Sequence, residues 1–284
     1  MFRSPVLAEI RTLDPARDHQ RMTFLTCRVD FPWDITRALE LALFRTYCIP
    51  SISELLDRTQ EFQCRAQRRY DDTDIIVSEI MENGYDSERG LAAIRRMNQI
   101  HGRFEISNED FLYVLSTFVY VPIRWIERFG WRKLIPAEKT ALFLFWREVG
   151  RRMNIKDLPE DSAAFEAFSD AYEKKHYRFT ETNRRVGTAT RELFASWFPR
   201  VFSPLVRRSI HALLDDPLRE SFGFPRPGAF LRTMVPLTMR MRARSLRLLP
   251  RRKKPVLRTE MKRPSHPCGY HLDRVGPEPP SQTG

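Results

Sequence analysis

Residues 62–104 read FQCRAQRRYDDTDIIVSEIMENGYDSERGLAAIRRMNQIHGRF, and the spacing of their apolar positions decides the fold. Phe62, Ala66, Ile76, Val77 and Ile80 recur at helical intervals and mark one stripe. At about 100° per residue, Arg69 and Thr73 fall inside that stripe, one turn apart. Asn83-Gly84 ends the pattern, and Ser87 is placed to cap a second helix. In that helix Leu91, Ile94, Met97 and Phe104 share a face with His101 near its middle, while Arg95, Arg96, Gln99 and Arg103 fill the solvated side. An Arg, a Thr and a His are thus expected to point inward from consecutive helices. Each has an ordinary structural reading: a core histidine with one hydrogen bond, an ion-pair partner for a buried carboxylate, a threonine bonded to its own helix carbonyl.

Outward from this stretch the helical pattern continues. Residues 1–33 are polar, with prolines at 5, 15 and 32, and read as an arm. Asp34 is placed to cap a helix through about Tyr47, which Ile49-Pro50 ends. Ser51 or Ser53 then starts the long helix that carries Arg69 and Thr73. Glu109–Phe129 is the most apolar helix, hence central, with Pro122 kinking or ending it. Tyr113 and Tyr120 share one face of it, read as bonded to backbone or facing a cavity. Pro136 fits the first turn of a helix to about Met153. Glu160-Asp161 open another helix through Tyr177, in whose charged run His176 reads as exposed. Helical pattern resumes through Trp197, and 204–214 forms a short helix in which His211 is a weaker ligand candidate than His101. Residues 223–228 read as a linker, 230–249 as a basic amphipathic stretch, and 251–284 as a disordered tail with inert His266 and His271.

The net charge of +12 invites a nucleic-acid reading that its distribution opposes. Between Ser221 and Thr259 there are 11 Arg or Lys and no Asp or Glu; residues 260–284 balance, so 12 less 11 leaves +1 on residues 1–220. No RNP, helix-turn-helix or zinc motif accompanies the basic segment, and no nucleic acid is expected as a partner. That segment can rest on an anionic membrane surface, or pack on the core with its arginines in water. The four cysteines, Cys27, Cys48, Cys64 and Cys268, lack zinc-like spacing and read as reduced thiols of a cytoplasmic protein, Cys48 and Cys64 inside. No apolar signal core follows Met1, and no run of about 18 apolar residues is present. Walker, Rossmann, Gly-x-Ser-x-Gly and HExxH patterns are absent from the sequence.

The segment Arg69-Tyr-Asp-Asp-Thr73, followed by Ile100-His101-Gly102, resembles the catalytic-domain signature of the rubber oxygenase/MpaB family. The similarity continues through 111–121, 134–139 and 146–158, covering roughly residues 40–195. The resemblance implies an all-helical domain with a globin-like core and a b-type haem, with His101 as the proximal ligand of its iron. It also implies that Arg69 and Thr73 line the haem site. The family carries a Lys directly before that Thr where this chain has Asp72, which reverses a charge near the site. The family's distal Glu has only Glu54 and Glu61 as candidates, by rough distance.

These readings give a mainly α protein: an arm over 1–33, a helical oxygenase-like catalytic domain over 34–222, a basic amphipathic extension over 223–250, and a disordered tail over 251–284. The expected activity is a haem b-dependent oxygenase using dioxygen on an apolar, olefinic or prenyl-like substrate. His101 is the metal ligand, held through Nε2 while Nδ1 donates to a carbonyl or carboxylate. Arg69 neutralises a propionate or orients a polar group at the iron, Thr73 is a hydrogen-bond donor near the oxygen, and Asp72 is a candidate base or a solvated carboxylate. Peripheral membrane contact is expected through 230–254. A haem-free helical scaffold or membrane-surface binding protein is the alternative.

Overall fold

Short polar caps and first-turn prolines begin most of the helices in the computed structural model, which describes residues 4–277. Ser4 and Asp14 cap α1 (Pro5–Ile10) and α2 (Pro15–Phe24) by accepting the Leu7 and Ala16 N–H groups. A π-helical stretch, Leu25–Asp30, leads into α3 (Pro32–Thr46). The segment before the site helix is broken into α4 (Pro50–Arg58) and the single turn α5 (Glu61–Cys64). Then come α6 (Ala66–Asn83) and α7 (Glu88–His101), joined at Gly84, whose φ of 82° suits glycine. Ser87 caps α7 through the Gly90 N–H at 3.0 Å, as its position predicts.

The apolar α8 (Asn108–Phe129) runs unbroken past Pro122 and lies against α3. Then follow α9 (Pro136–Arg152), α10 (Ser162–His176) and α11 (Glu181–Ser196). After them come α12 (Ser203–Leu213), α13 (Asp216–Ser221) and α14 (Ala229–Leu248). The mainly α expectation holds: among the described residues there are helices and no strands, only an isolated bridge between Arg263 and His266. The largest apolar cluster joins α3, α6, α7, α8 and α9, with Phe31, Ile75, Ile80, Phe145 and Val149 among its fully enclosed members.

Several local expectations are corrected. The stretch expected as an arm is helical in its described part and belongs to the interior: Ile10, Met22 and Leu25 pack with Ala141 of α9. Its polar residues are satisfied inside, Thr26 donating to Glu138 at 2.9 Å. Asp34 caps nothing; it is buried, accepting from Arg242 at 3.0 Å and from the Trp125 indole at 3.4 Å. The single long helix from Ser51 or Ser53 is three pieces, because Gln60 takes a left-handed turn (φ 55°) and Arg65 leaves the helical region (φ −139°). Cys64 is exposed, whereas Cys27 and Cys48 are buried. His176 is half-buried, stacked on Tyr172 at 4.2 Å.

The segment expected as a disordered tail is, over 251–277, a strap laid across α6 and α7. Arg258 pairs with Asp74 through two hydrogen bonds of 2.8 and 2.9 Å. Arg96 donates to the Val275 carbonyl at 2.7 Å, and Val275 itself is fully buried. Gly276 follows at φ 101°, where a β-carbon would lie 2.4 Å from Ile100 Cδ1, so the strap's approach to α7 requires glycine. Residues 278–284 of the expected tail lie outside the described residues.

Candidate functional site

A cavity of about 270 Å³ opens between α4, α6, α7 and α8. Its walls follow from the helical period. On α6 the residues one turn apart, Arg69, Thr73, Ile76 and Ile80, face one way, and Met97, Ile100 and His101 of α7 complete that side. Phe111, Val114 and Phe118 of α8 and Leu55 and Leu56 of α4 also line it. Gly276 and Pro277 of the strap reach its edge. The lining is mostly apolar, with Arg58, Arg69, His101 and the Trp146 indole as its nitrogen-bearing side chains.

His101 is the last residue of α7, with its ring edge-on to Phe111 at 5.3 Å between centroids. Its Nδ1 is buried and has no hydrogen-bond partner. The expected donation from Nδ1 to a carbonyl or carboxylate is therefore not made. Burial first, and the nearby Arg69 guanidinium second, hold the imidazole down to about pKa 4. It is neutral at ordinary pH, the form that can donate a lone pair to a metal.

Arg69 lies over the Phe62 ring at 5.5 Å and donates through Nη1 to Thr73 Oγ1, while that hydroxyl donates to the Arg69 carbonyl at 3.0 Å. The Arg–Thr pair thus shares a cavity with His101, and Thr73 is locked to its own helix. Asp72 also borders the cavity but is 4 % exposed, and its Oδ1 lies 2.8 Å from Nε2 of His266. The carboxylate considered as a free base is engaged by His266, which was expected to be inert in a disordered tail. Of the two glutamates considered for a distal role, Glu54 is exposed and away from the cavity; Glu61 borders it and is paired with Arg65.

Sequence reasoning missed Asp110, a buried cavity-lining carboxylate that accepts from Ser51 and Tyr172, both at 3.0 Å. Its place in the first turn of α8 reads as a helix-dipole preference and hides the cavity. Tyr113 and Tyr120 bond elsewhere, to Glu173 at 3.0 Å and to the Ser162 carbonyl at 2.6 Å. His211 lies outside the cavity, stacked on Phe224 at 4.6 Å and contacted by Arg191 at 3.3 Å; burial and then Arg191 take it down to about pKa 4. Among the described residues no three His, Cys, Asp or Glu side chains converge as a metal-ligand set. A haem takes one imidazole from the chain, and the buried, unpartnered nitrogen of His101 beside a cation and an apolar cavity fits that group.

Both histidines make the haem-free protein acid-sensitive. The unfolded chain binds protons at its ordinary value of 6.5, the folded chain only near 4. Between those values the unfolded state holds more protons, so stability falls as pH falls through that window. Urea midpoints of the haem-free protein measured from pH 7 downward are expected to decline from about pH 6.5, less steeply in His101→Leu. Parallel profiles for the two proteins would show that the His101 imidazole is not the group responsible.

Comparison with known proteins identifies the family. The model of the family described as ER-bound oxygenase mpaB/B'/Rubber oxygenase, catalytic domain, matches residues 56–245. The ER-bound oxygenase mpaB of Penicillium roqueforti (strain FM164) is 30% identical over 214 residues, covering 69% of this chain and 72% of the relative. The ER-bound oxygenase mpaB' of Penicillium brevicompactum is 29% identical over 221 residues, covering 71% of this chain and 52% of the relative. The mpaB of that same organism is 34% identical over 146 residues, 49% of this chain and 37% of the relative. The matched span holds α5 to α13 entire and includes Arg69, Thr73 and His101, and the chain belongs to the ER-bound oxygenase mpaB/B' and rubber oxygenase catalytic-domain family, a family of oxidoreductase enzymes.

Proposed function

We propose that the protein is a haem b-dependent oxygenase that uses dioxygen on an apolar, olefinic or prenyl-like substrate. The observation that carries this reading is the His101 Nδ1, buried at the wall of an apolar cavity with nothing to bond. An orphaned buried nitrogen costs about 1–3 kcal/mol, and coordination to iron would remove that cost. When bound, the haem would supply an iron centre for dioxygen chemistry that no side chain offers.

The chain's own residues have separable tasks. His101 would hold the iron through the ring nitrogen left without a partner, Nδ1 in place of the Nε2 that the resemblance led us to expect. The Arg69 guanidinium would neutralise a propionate. Thr73 would present its hydroxyl to a polar group of substrate or to dioxygen, and to do so it must release the Arg69 carbonyl. Phe111, Val114 and Phe118 would exclude water and accept the hydrocarbon. Asp72 contributes by position, tethering the strap through His266. Asp110, held by Ser51 and Tyr172, is the cavity carboxylate best placed to move a proton.

No helix among the described residues is long and apolar enough to cross a membrane. We place the protein in the cytoplasm, with segment 230–254 as its peripheral membrane contact. The test of the haem reading is an absorption spectrum of the purified protein, before and after haemin is added. A Soret band that follows haemin stoichiometrically is expected; a colourless protein that takes up none overturns the reading. Arg69→Ala is expected to weaken haemin affinity about 10- to 100-fold, the worth of a hydrogen-bonded charge, with Arg69→Lys intermediate. Equal affinities in titrations of all three proteins would remove Arg69 from the propionate role.

A further inference from the structure

α14 has two apolar faces. One is used up: Val235, Pro236, Met239, Ala243 and Leu246 turn toward the body, where α14 lies against α8 and α12. The other looks outward. Phe230, Leu237, Met241 and Leu248 are 73%, 36%, 56% and 80% exposed. Their spacings of seven, four and seven residues put all four within about 20° of one line along the helix. A helix that needed only to pack on the core would keep polar side chains on that line.

The flanks of the stripe are cationic. Arg240 and Arg244 lie beside it on the helix wheel, and neither pairs with a carboxylate among the described residues. Burial first, and the neighbouring Arg240 guanidinium second, lower the pKa of Arg128 on α8, with Asp215 opposing them. A second exposed apolar group stands at the start of α12, which packs on α14: Val201, Phe202 and Leu205 are 78%, 52% and 52% exposed. Arg200, Arg207 and Arg208 are the charged residues of that segment, and of these Arg207 is paired with Glu192. The interfacial pattern is therefore complete on a folded surface, with apolar side chains projecting and unpaired arginines around them.

We propose that the outer face of α14, with the α12 start beside it, docks the protein on an anionic lipid surface. The apolar stripe enters the headgroup boundary, and Arg240 and Arg244 meet the lipid phosphates and carboxylates. Charge selects this occupant. A second copy would bring the same unpaired arginines against each other, and an unmodified nucleic acid would leave the aliphatic stripe without a counterpart. This inference rests on the peripheral part of the function proposed above and is independent of the haem.

The test is co-sedimentation of the full chain with vesicles of phosphatidylcholine alone and of phosphatidylcholine with phosphatidylserine. Binding is expected only to the second, and it should weaken as salt is raised. Removing a cation near such a surface is worth about fivefold in partitioning, so Arg240→Gln with Arg244→Gln should lose about 25-fold. Leu237→Ser with Met241→Ser should lose at least as much, and these exposed positions leave the fold intact, checked by circular dichroism. Haemin absorbance is recorded on every sample, so loss of docking with an unchanged Soret band separates this surface from the cavity. No binding to anionic vesicles, or undiminished binding by both double variants, overturns the proposal. So does a stable dimer that the serine variants dissociate, or binding to nucleic acid in place of vesicles.

Discussion

His101→Leu is expected to remove haemin binding while leaving the haem-free protein as stable as the parent, or more so by about 1 kcal/mol. The two halves of that expectation have one cause. The wild-type imidazole carries a buried nitrogen without a partner, and leaving such a group unsatisfied costs about 1–3 kcal/mol in the folded state. Leucine is close in volume, packs on Phe111 and Ile100, and has nothing to satisfy. A histidine kept only for packing or for a structural hydrogen bond would give the opposite sign, with the variant destabilised. The ligand supplies the second measurement: at a hundredfold excess over its dissociation constant, haemin should stabilise the wild type by about 2.7 kcal/mol and the variant not at all. Thermal melts of both proteins with and without haemin, read by helical circular dichroism, check both halves. Haemin-dependent stabilisation that survives in His101→Leu would assign the iron to another residue.

The parts of this site that were legible in the sequence are those whose placement is set within one helix. Arg69 and Thr73 fall on the α6 stripe, and His101 on the α7 stripe, because a 3.6-residue period fixes which way a side chain faces. The Ser87 cap and the Gly84 stop were readable for the same local reason. The break at 60–65 was not, since Gln60 adopts a left-handed turn with no glycine to announce it. The N-terminal helices were hidden because their buried residues, Ile10, Met22 and Val29, are spread over three short elements, one of them π-helical. The strap has no period at all: Val275, Gly276 and His266 are placed by tertiary neighbours, Arg96, Ile100 and Asp72 among them. Nothing along the chain marks such contacts, and so Asp72 read as a solvated or catalytic carboxylate when it is a tether.

Glu82→Leu is expected to cost about 3–5 kcal/mol of stability, the figure for breaking a buried ion pair by removing one partner. Glu82 joins three regions that the sequence kept apart. Its Oε1 stands 3.0 Å from Arg28 Nε in the π-helical segment, with the two side chains 1% and 3% exposed. The same carboxylate accepts the Arg258 N–H at 2.8 Å, the Thr259 N–H at 3.1 Å and the Thr259 hydroxyl at 2.7 Å. Burial already draws the Arg28 guanidinium below its ordinary range, so without Glu82 its charge would stand enclosed with Ser78 and Met81 as its side-chain hydrogen-bond acceptors and only the Arg258-paired Asp74 as a nearby carboxylate. Adding Arg28→Met to the variant removes that stranded charge, and stability should return to within about 1.5 kcal/mol of the parent, as buried pairs replaced by apolar residues do. The strap should not recover with it, because its three donors still lack their acceptor. Urea unfolding therefore should distinguish the single from the double variant, while amide exchange over 256–277 should be fast in both and slow in the parent. Because Gly276 and Pro277 border the cavity, a strap loosened in this way should also raise the haemin dissociation rate of both variants equally. A double variant as unstable as the single one would mean that Arg28 is not the origin of the cost.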